Sequence, residues 1–486
     1  MTSPTGRPRP SAGGGSPAAR VDDARMLAWE VLRAVDERGA YANLLLPSLL
    51  AQRRLTGRDR GFATELTYGA LRAQGLLDGL LDTVTSRPVA TVDPGLRDAL
   101  RLGTYQLLRT RVPARAAVGT TVDLVRATAG ERPVRFANAV LRRVADRVAE
   151  TGGDIATMLS APAFDRDPFG HLAVVTAHPR WIVEVFADAL DGDLDETRAA
   201  LQADDTRPAV HLVAPPDQLS RDELLAEVHE AGLAGEPGRY SPFAVVLAGG
   251  DPGALPAVAA HRAAVQDEGS QLVALALART PTVGPDSGVT VDLCAGPGGK
   301  AALLAALLTS GQVGETLGLP EPALLAFEPR ASRAGLVAAA LAGRPGAFAV
   351  RADGRYPPLP AGRVDRVLVD APCTGLGALR RRPEARWRKL ASDATALARL
   401  QRQLLVSALD LVRPGGVVAY VTCSPHPAES VEVVASVVEQ RDAVTLLDAR
   451  QSLPGVPALG EGPFVQLWPH RHGTDAMFLA LLRRDS

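Results

Sequence analysis

Cys373 and Cys423 stand where chemistry is easiest to place, each at the end of a β-branched run. Val364-Asp365-Arg366-Val367-Leu368-Val369-Asp370 leads into Ala371-Pro372-Cys373-Thr374-Gly375, and Val417-Val418-Ala419-Tyr420-Val421-Thr422 leads into Cys423-Ser424. Such runs, closed by Gly and Pro, read as buried strands, so both thiols belong at strand tips. Upstream, Val289-Thr290-Val291-Asp292-Leu293-Cys294-Ala295-Gly296-Pro297-Gly298-Gly299-Lys300 reads as strand, tight loop and the start of a helix. The loop lacks the residues and spacing of a phosphate cradle. An acidic strand end with a glycine loop suits a neutral or cationic nucleoside such as S-adenosylmethionine instead. Carbon 5 of cytosine is a poor nucleophile, and a thiolate added at carbon 6 turns it into an enamine-like centre that can take a sulfonium methyl. That reaction needs a thiolate, a group that hydrogen-bonds the ring, and a means of removing the carbon 5 proton and releasing the product. Cys423, Asp370 and Cys373 can supply these among them, with Lys300 available to stabilise the thiolate.

Only Lys300 and Lys389 are lysines among 53 basic residues, so a lysine closing the glycine loop has a specific task. Three cysteines are too few for a disulfide framework, and no Cys/His set has metal-ligand spacing, so no metal is expected. Cys294 reads as a small residue lining the loop.

The elements that carry these residues form an alternating α/β pattern. Ala323 to Glu328 is a strand ending in a carboxylate suited to ribose hydroxyls, and Ala347 to Val350 delivers Asp353, placed for an adenine amino group. Strands at Val364, Val417 and Met477 complete the expected doubly wound sheet. Residues 22–150 carry apolar positions at helical spacing and read as a helical bundle. Residues 1–150 hold 23 Arg against 15 Asp and Glu, a local +8, and the remainder carries −9. A basic domain on an acidic body points to a polyanion, most simply nucleic acid. Arg58, Arg60 and Arg111 there, with Arg381 and Trp387 after the Cys373 motif, are the candidate RNA contacts by charge and stacking. Residues 151–169 read as a linker and 170–283 as a small α+β subdomain. The Pro-, Gly- and Ser-rich start, residues 1–21, reads as a disordered tail with no signal-peptide core, and no apolar run reaches membrane length. A cytoplasmic protein is expected.

Asp292 to Lys300, Asp370-Ala371-Pro372-Cys373-Thr374-Gly375 and Thr422-Cys423-Ser424-Pro425 resemble motifs one, four and six of the RNA cytosine-5 methyltransferases. Leu66-Thr67-Tyr68-Gly69-Ala70-Leu71-Arg72 and Phe136-Ala137-Asn138-Ala139-Val140-Leu141-Arg142 resemble the NusB-like RNA-binding domain. Together they resemble the bacterial Sun/Fmu (RsmB) group of 16S rRNA methyltransferases over nearly the whole chain after residue 22. The resemblance implies a Rossmann-like, seven-stranded class I methyltransferase domain over 284–486. It implies S-adenosylmethionine held by Cys294, Ala295, Gly296, Pro297, Gly298, Gly299, Lys300, Glu328, Asp353 and Asp370. It makes Cys423 the nucleophile and Cys373 the group assisting release. It further implies a monomer acting on 16S rRNA, free or within a small-subunit assembly intermediate. The family pattern has Ala at Gly296 and Asp at Glu328, and Gln312 to Pro322 is a longer segment that reads as a loop over the cofactor. A NusB-like RNA-binding factor with an inactive catalytic domain is the alternative, and a small-molecule methyltransferase a third reading.

Overall fold

The computed structural model describes residues 21–310 and 323–485, so the tail expected over residues 1–20 and the loop expected over 312–322 lie outside the described residues. The chain divides between Leu159 and Ser160 into two compact units.

The first unit is helical, as its apolar periodicity predicts. Asp22 caps the helix Asp23–Arg38 by accepting from the Arg25 backbone N–H, and Gly39 ends it in the left-handed conformation. Pro94–Arg109 begins on an Asp93 cap with proline in its first turn, and is the most enclosed helix of this unit. Two of its close neighbours pack through glycine. A Cβ on Gly69 would fall 2.0 Å from the Tyr105 hydroxyl, and one on Gly103 would fall 2.7 Å from a Leu141 methyl. Asp98, fully buried, is held by Arg33 at 2.8 Å and Arg101 at 2.9 Å, which matches the rule that buried charges are paired. Residues 151–169, expected as a linker, include the short helix Ile155–Met158, and the helix Pro168–Val175 begins before they end.

The second unit holds two sheets. The smaller has the order β2-β3-β1-β4, from β1 (Val210–Val213), β2 (Gly235–Pro237), β3 (Ala244–Leu247) and β4 (Ala264–Val265). The helix Arg221–Glu230 packs on it behind a reciprocal Ser220/Glu223 cap. The helix Glu268–Arg279, buried from Glu268 to Ala278, leads from this sheet into the larger one.

The larger sheet comprises β5 (Val289–Asp292), β6 (Ala323–Phe327), β7 (Ala347–Val350), β8 (Val364–Asp370), β9 (Val412–Thr422), β10 (Val444–Leu447), β11 (Val465–Gln466) and β12 (Phe478–Arg484). Its order is β10-β12-β9-β8-β5-β6-β7, seven strands, with the two-residue β11 paired to β12. The pairs among β5 to β9 are parallel, and β12 runs antiparallel to β9. Parallel strands covered on both faces need continuous apolar runs, and Val364–Asp370 and Val417–Thr422 are such runs, buried almost throughout. The chain winds outward in opposite directions from β5 and β8, so the strand order reverses between them. A crevice opens at the carboxyl ends of strands at such a point, and both the glycine loop and the Cys373 motif leave from there.

Candidate active site

At the tip of β5, Asp292 is fully buried and its Oδ1 accepts from the Cys294 backbone N–H at 3.1 Å. Its Oδ2 has no partner among the described residues, and burial, with Asp370 nearby, pushes the carboxyl up to about 7. The Cys294 thiol is likewise pushed up by burial, in keeping with a lining role. The loop is tied to β6 by the Ala295 N–H, which donates to the Phe327 carbonyl at 2.9 Å. Gly298 sits at φ +111° with the neighbouring helix so close that a Cβ would lie 2.7 Å from that of Ala340. Only glycine fits there.

Gly296 faces Glu328. A Cβ on Gly296 would lie 2.1 Å from Glu328 Oε2, so the longer acidic side chain fills the space that an alanine methyl would take. Gly296 and Glu328 are therefore sterically coupled. Glu328 is buried, accepts from the Arg330 N–H at 2.9 Å, and lies 3.3 Å from Arg333 Nε. Arg333 also donates to the Gly296 carbonyl, strapping the helix after β6 to the loop. Sequence reading missed this arginine, whose only signal is its place one turn into that helix. Asp353 is half-exposed, and hydrogen bonds from Arg355 hold its carboxyl below the ordinary value.

Lys300 turns toward β8 and places Nζ 2.8 Å from Asp370 Oδ2. Burial works against its charge, yet Asp370 outweighs that and raises the lysine above its usual value. Beyond Asp370, Cys373 Sγ and Cys423 Sγ approach to 3.4 Å, although fifty residues separate them. Their contact splits the two thiols. The bond from Cys373, helped by Arg382 and Lys300 against burial, holds Cys423 below the ordinary thiol value. Cys373 is pushed well above it by that same bond and by burial, with Glu429 and Asp370 adding to the effect.

Glu429 holds the two cysteine segments together. It is fully buried; Oε1 accepts from the Thr374 N–H at 2.8 Å, Oε2 accepts from the Ser424 hydroxyl at 2.8 Å and from the Thr374 hydroxyl. Gln401 donates to Glu429 at 3.2 Å and to the Pro372 carbonyl at 2.9 Å. The residue following each cysteine is thus bonded to one carboxylate. In sequence, Glu429 closes His426-Pro427-Ala428-Glu429, which reads as a variable stretch after the Cys423 motif, with only its position ahead of an apolar helix to mark it.

The arginines after Cys373 divide. Arg381, expected on RNA, is instead bound through its guanidinium to the buried Asp475, because that aspartate would otherwise be an unpaired interior charge. Arg380 donates to the Gly473 carbonyl at 3.1 Å, and the fully buried Arg386 reaches Asp205 at 2.8 Å and the Ala177 carbonyl at 3.1 Å. Arg382 is exposed beside Cys423, and Trp387 is half-buried. In the helical unit Arg58 and Arg111 are exposed and Arg60 half-buried. Arg58 and Arg60 lie in the first turn of the helix Gly57–Arg72. No group of three or more His, Cys, Asp or Glu among the described residues could hold a metal, and no described helix is long and apolar enough to cross a membrane.

Sheet order, a glycine loop at the reversal of strand order and a carboxylate at the tip of β6 define a class I methyltransferase domain behind a helical domain. The family model described as 16S rRNA methyltransferase RsmB/F matches residues 283–483, and that of the NusB family matches 22–146. The Rv1407 protein of Mycobacterium tuberculosis is 55% identical over 96% of this chain and 97% of that one. Ribosomal RNA small subunit methyltransferase B of Klebsiella pneumoniae is 30% identical over 90% and 96%. Among solved structures PH0851 superposes with a TM-score of 0.75 at 22% identity, covering 95% of this chain and 98% of that one, a likeness of fold. The chain belongs to the RsmB/F family of 16S rRNA methyltransferases.

Proposed function

We propose that this protein methylates carbon 5 of a cytosine in 16S rRNA with S-adenosylmethionine, through a transient bond between Cys423 and carbon 6. The observation that carries the reading is the 3.4 Å pairing of Cys373 and Cys423 at neighbouring strand tips, beside Asp370. The residues present fit the donor. Gly296 lets the Glu328 carboxylate close against the loop, where it can accept from ribose hydroxyls, and Lys300 is engaged by Asp370 rather than free for a phosphate. When bound, S-adenosylmethionine supplies an electrophilic sulfonium methyl.

Cys423, the thiol of lower pKa, gives its electron pair to carbon 6, and the ring π electrons make carbon 5 nucleophilic. Asp370 hydrogen-bonds the ring as charge develops, and Lys300 holds that carboxylate in place. Carbon 5 takes the methyl with its own electron pair, and the methyl–sulfonium bond breaks with its electrons left on sulfur. Cys373, once its own proton has passed to solvent, takes the carbon 5 proton, the C5–H electron pair restores the double bond, and Cys423 is expelled from carbon 6 as thiolate. The base must be unstacked for a thiol to reach carbon 6, so a loop nucleotide is the substrate. Exposed Arg58 and Arg111 contact RNA phosphates, and Arg382 takes the place assigned to Arg381. The protein works as a cytoplasmic monomer on 16S rRNA or a small-subunit assembly intermediate.

Bisulfite sequencing of 16S rRNA from cells with and without the gene tests this. One cytosine loses its protection in the deleted strain and regains it with the wild-type gene but not with Cys423→Ala. An unchanged pattern on deletion contradicts the proposal.

A further inference from the structure

The two thiols at the centre of the site are not held alike. Cys423 directly follows β9, an interior strand of the larger sheet, whose last residue Thr422 is paired with Phe478 of β12. Its carbonyl also accepts from the Gly377 N–H at 2.9 Å. Cys373 lies three residues beyond the end of β8, and its segment leaves the sheet with the Ala371 N–H bonded to the Val421 carbonyl at 2.9 Å. Beyond that point side chains take over.

Gln401, on the helix Ala391–Leu411, is fully buried, and its Nε2 donates both to the Pro372 carbonyl at 2.9 Å and to Glu429 Oε1 at 3.2 Å. The same Glu429 oxygen accepts from the Thr374 N–H at 2.8 Å. Cys373 is therefore bracketed: the peptide before it is tied to Gln401 directly, and the peptide after it through Glu429. The Ser424 hydroxyl, on the Cys423 side, donates to the other oxygen, Oε2. Gln401 Oε1 is buried as well and has no partner among the described residues. An unpaired buried oxygen goes uncompensated for its lost hydration, so an apolar side chain would serve better here if filling space were all the position required. Its N–H groups are what the site uses.

We infer that Gln401 is a positioning residue for Cys373: it sets where that sulfur stands when the carbon 5 proton is removed, and does not act on the attack by Cys423. This rests on the proposed mechanism and concerns only its last step. An oriented group misplaced by about 1 Å loses on the order of 10²-fold, and here that loss falls on release.

The test follows the covalent complex through time. Full-length protein in excess is mixed with 16S rRNA from cells lacking the gene and with S-adenosylmethionine tritiated in the methyl group. Methyl transfer to RNA, and adduct on denaturing gels, are read from the same samples. Gln401→Met and Gln401→Leu transfer the methyl within about threefold of the wild-type rate, while the adduct persists at least about tenfold longer. A wild-type adduct lifetime in both variants overturns the role. So does an equal slowing of transfer and release, or loss of cooperative melting in both, which marks Gln401 as a structural residue. Cys373→Ala run alongside separates the two claims. If it holds an adduct and the Gln401 variants do not, only the role of Gln401 falls; if it holds none, the covalent reading itself has failed.

Discussion

At the tip of β5 the site is one continuous run, Asp292 to Lys300, shaped by backbone: glycines where a Cβ would collide and an N–H from Ala295 into β6. At the tips of β8 and β9 it is an assembly of side chains fifty residues apart, with Glu429 bonded to the residue after each cysteine. The first region rests on backbone turns and on close packing against β6 and the helix after it. The second depends on a buried polar network, which rigidifies when every member is satisfied and loosens when one is removed. Substitutions at β5 and β6 should therefore change affinity for the donor, and those at β8 and β9 the rate of the chemical step.

The largest effect falls on Cys423→Ala. Methyl transfer drops by at least about 10³-fold, as for removal of other covalent nucleophiles, while calorimetric affinity for S-adenosylmethionine stays within about twofold. Turnover near the wild-type rate would remove the distinction between the regions altogether. Glu429→Gln comes next. It keeps the shape but weakens bonds to the Thr374 and Ser424 segments, and thiol misplacement of about 1 Å costs on the order of 10²-fold in kcat. A rise in the donor's Kd with kcat intact would mean that Glu429 serves the loop and not the cysteines. Glu328→Gln tests the other region, with donor Kd raised about tenfold and single-turnover rate at saturating donor little changed.

The last effect is a pH dependence, of stability and not of donor affinity or rate. Asp292 is held at about 7 in the folded chain against 3.8 for the ordinary group. Between those values the folded state keeps a proton that the unfolded state has lost, so this contribution to stability is present below about pH 4 and is lost as pH rises through 7. Thermal melts of the ligand-free protein should show wild type losing stability over that window relative to Asp292→Asn. Parallel curves would show that the buried carboxyl does not set it.

The same contrast explains what could be read from the chain alone. The placement of the glycine loop, Glu328, Asp370 and both cysteines at the carboxyl ends of neighbouring strands was legible because each sits at the end of an apolar run or inside a short motif, where spacing carries information. The strands from β5 to β9 were legible for the same reason. The strand β10 (Val444–Leu447) was not located, being a half-buried edge strand of four residues. Arg333 and Glu429 were not foreseen as site residues, since their contacts are with neighbours distant in sequence. Arg381 misled for a related reason: an exposed-looking arginine run hides which member meets the buried Asp475.

The central claim is that Cys423, and not Cys373, bonds to the base. Cys373→Ala protein, mixed with its rRNA substrate and S-adenosylmethionine, should accumulate a complex that survives denaturing electrophoresis. Mass spectrometry of its nuclease- and protease-treated form should place a methylated cytidine on the peptide containing Cys423. An adduct on any other residue, or free turnover with no adduct in either single-cysteine variant, would contradict the account.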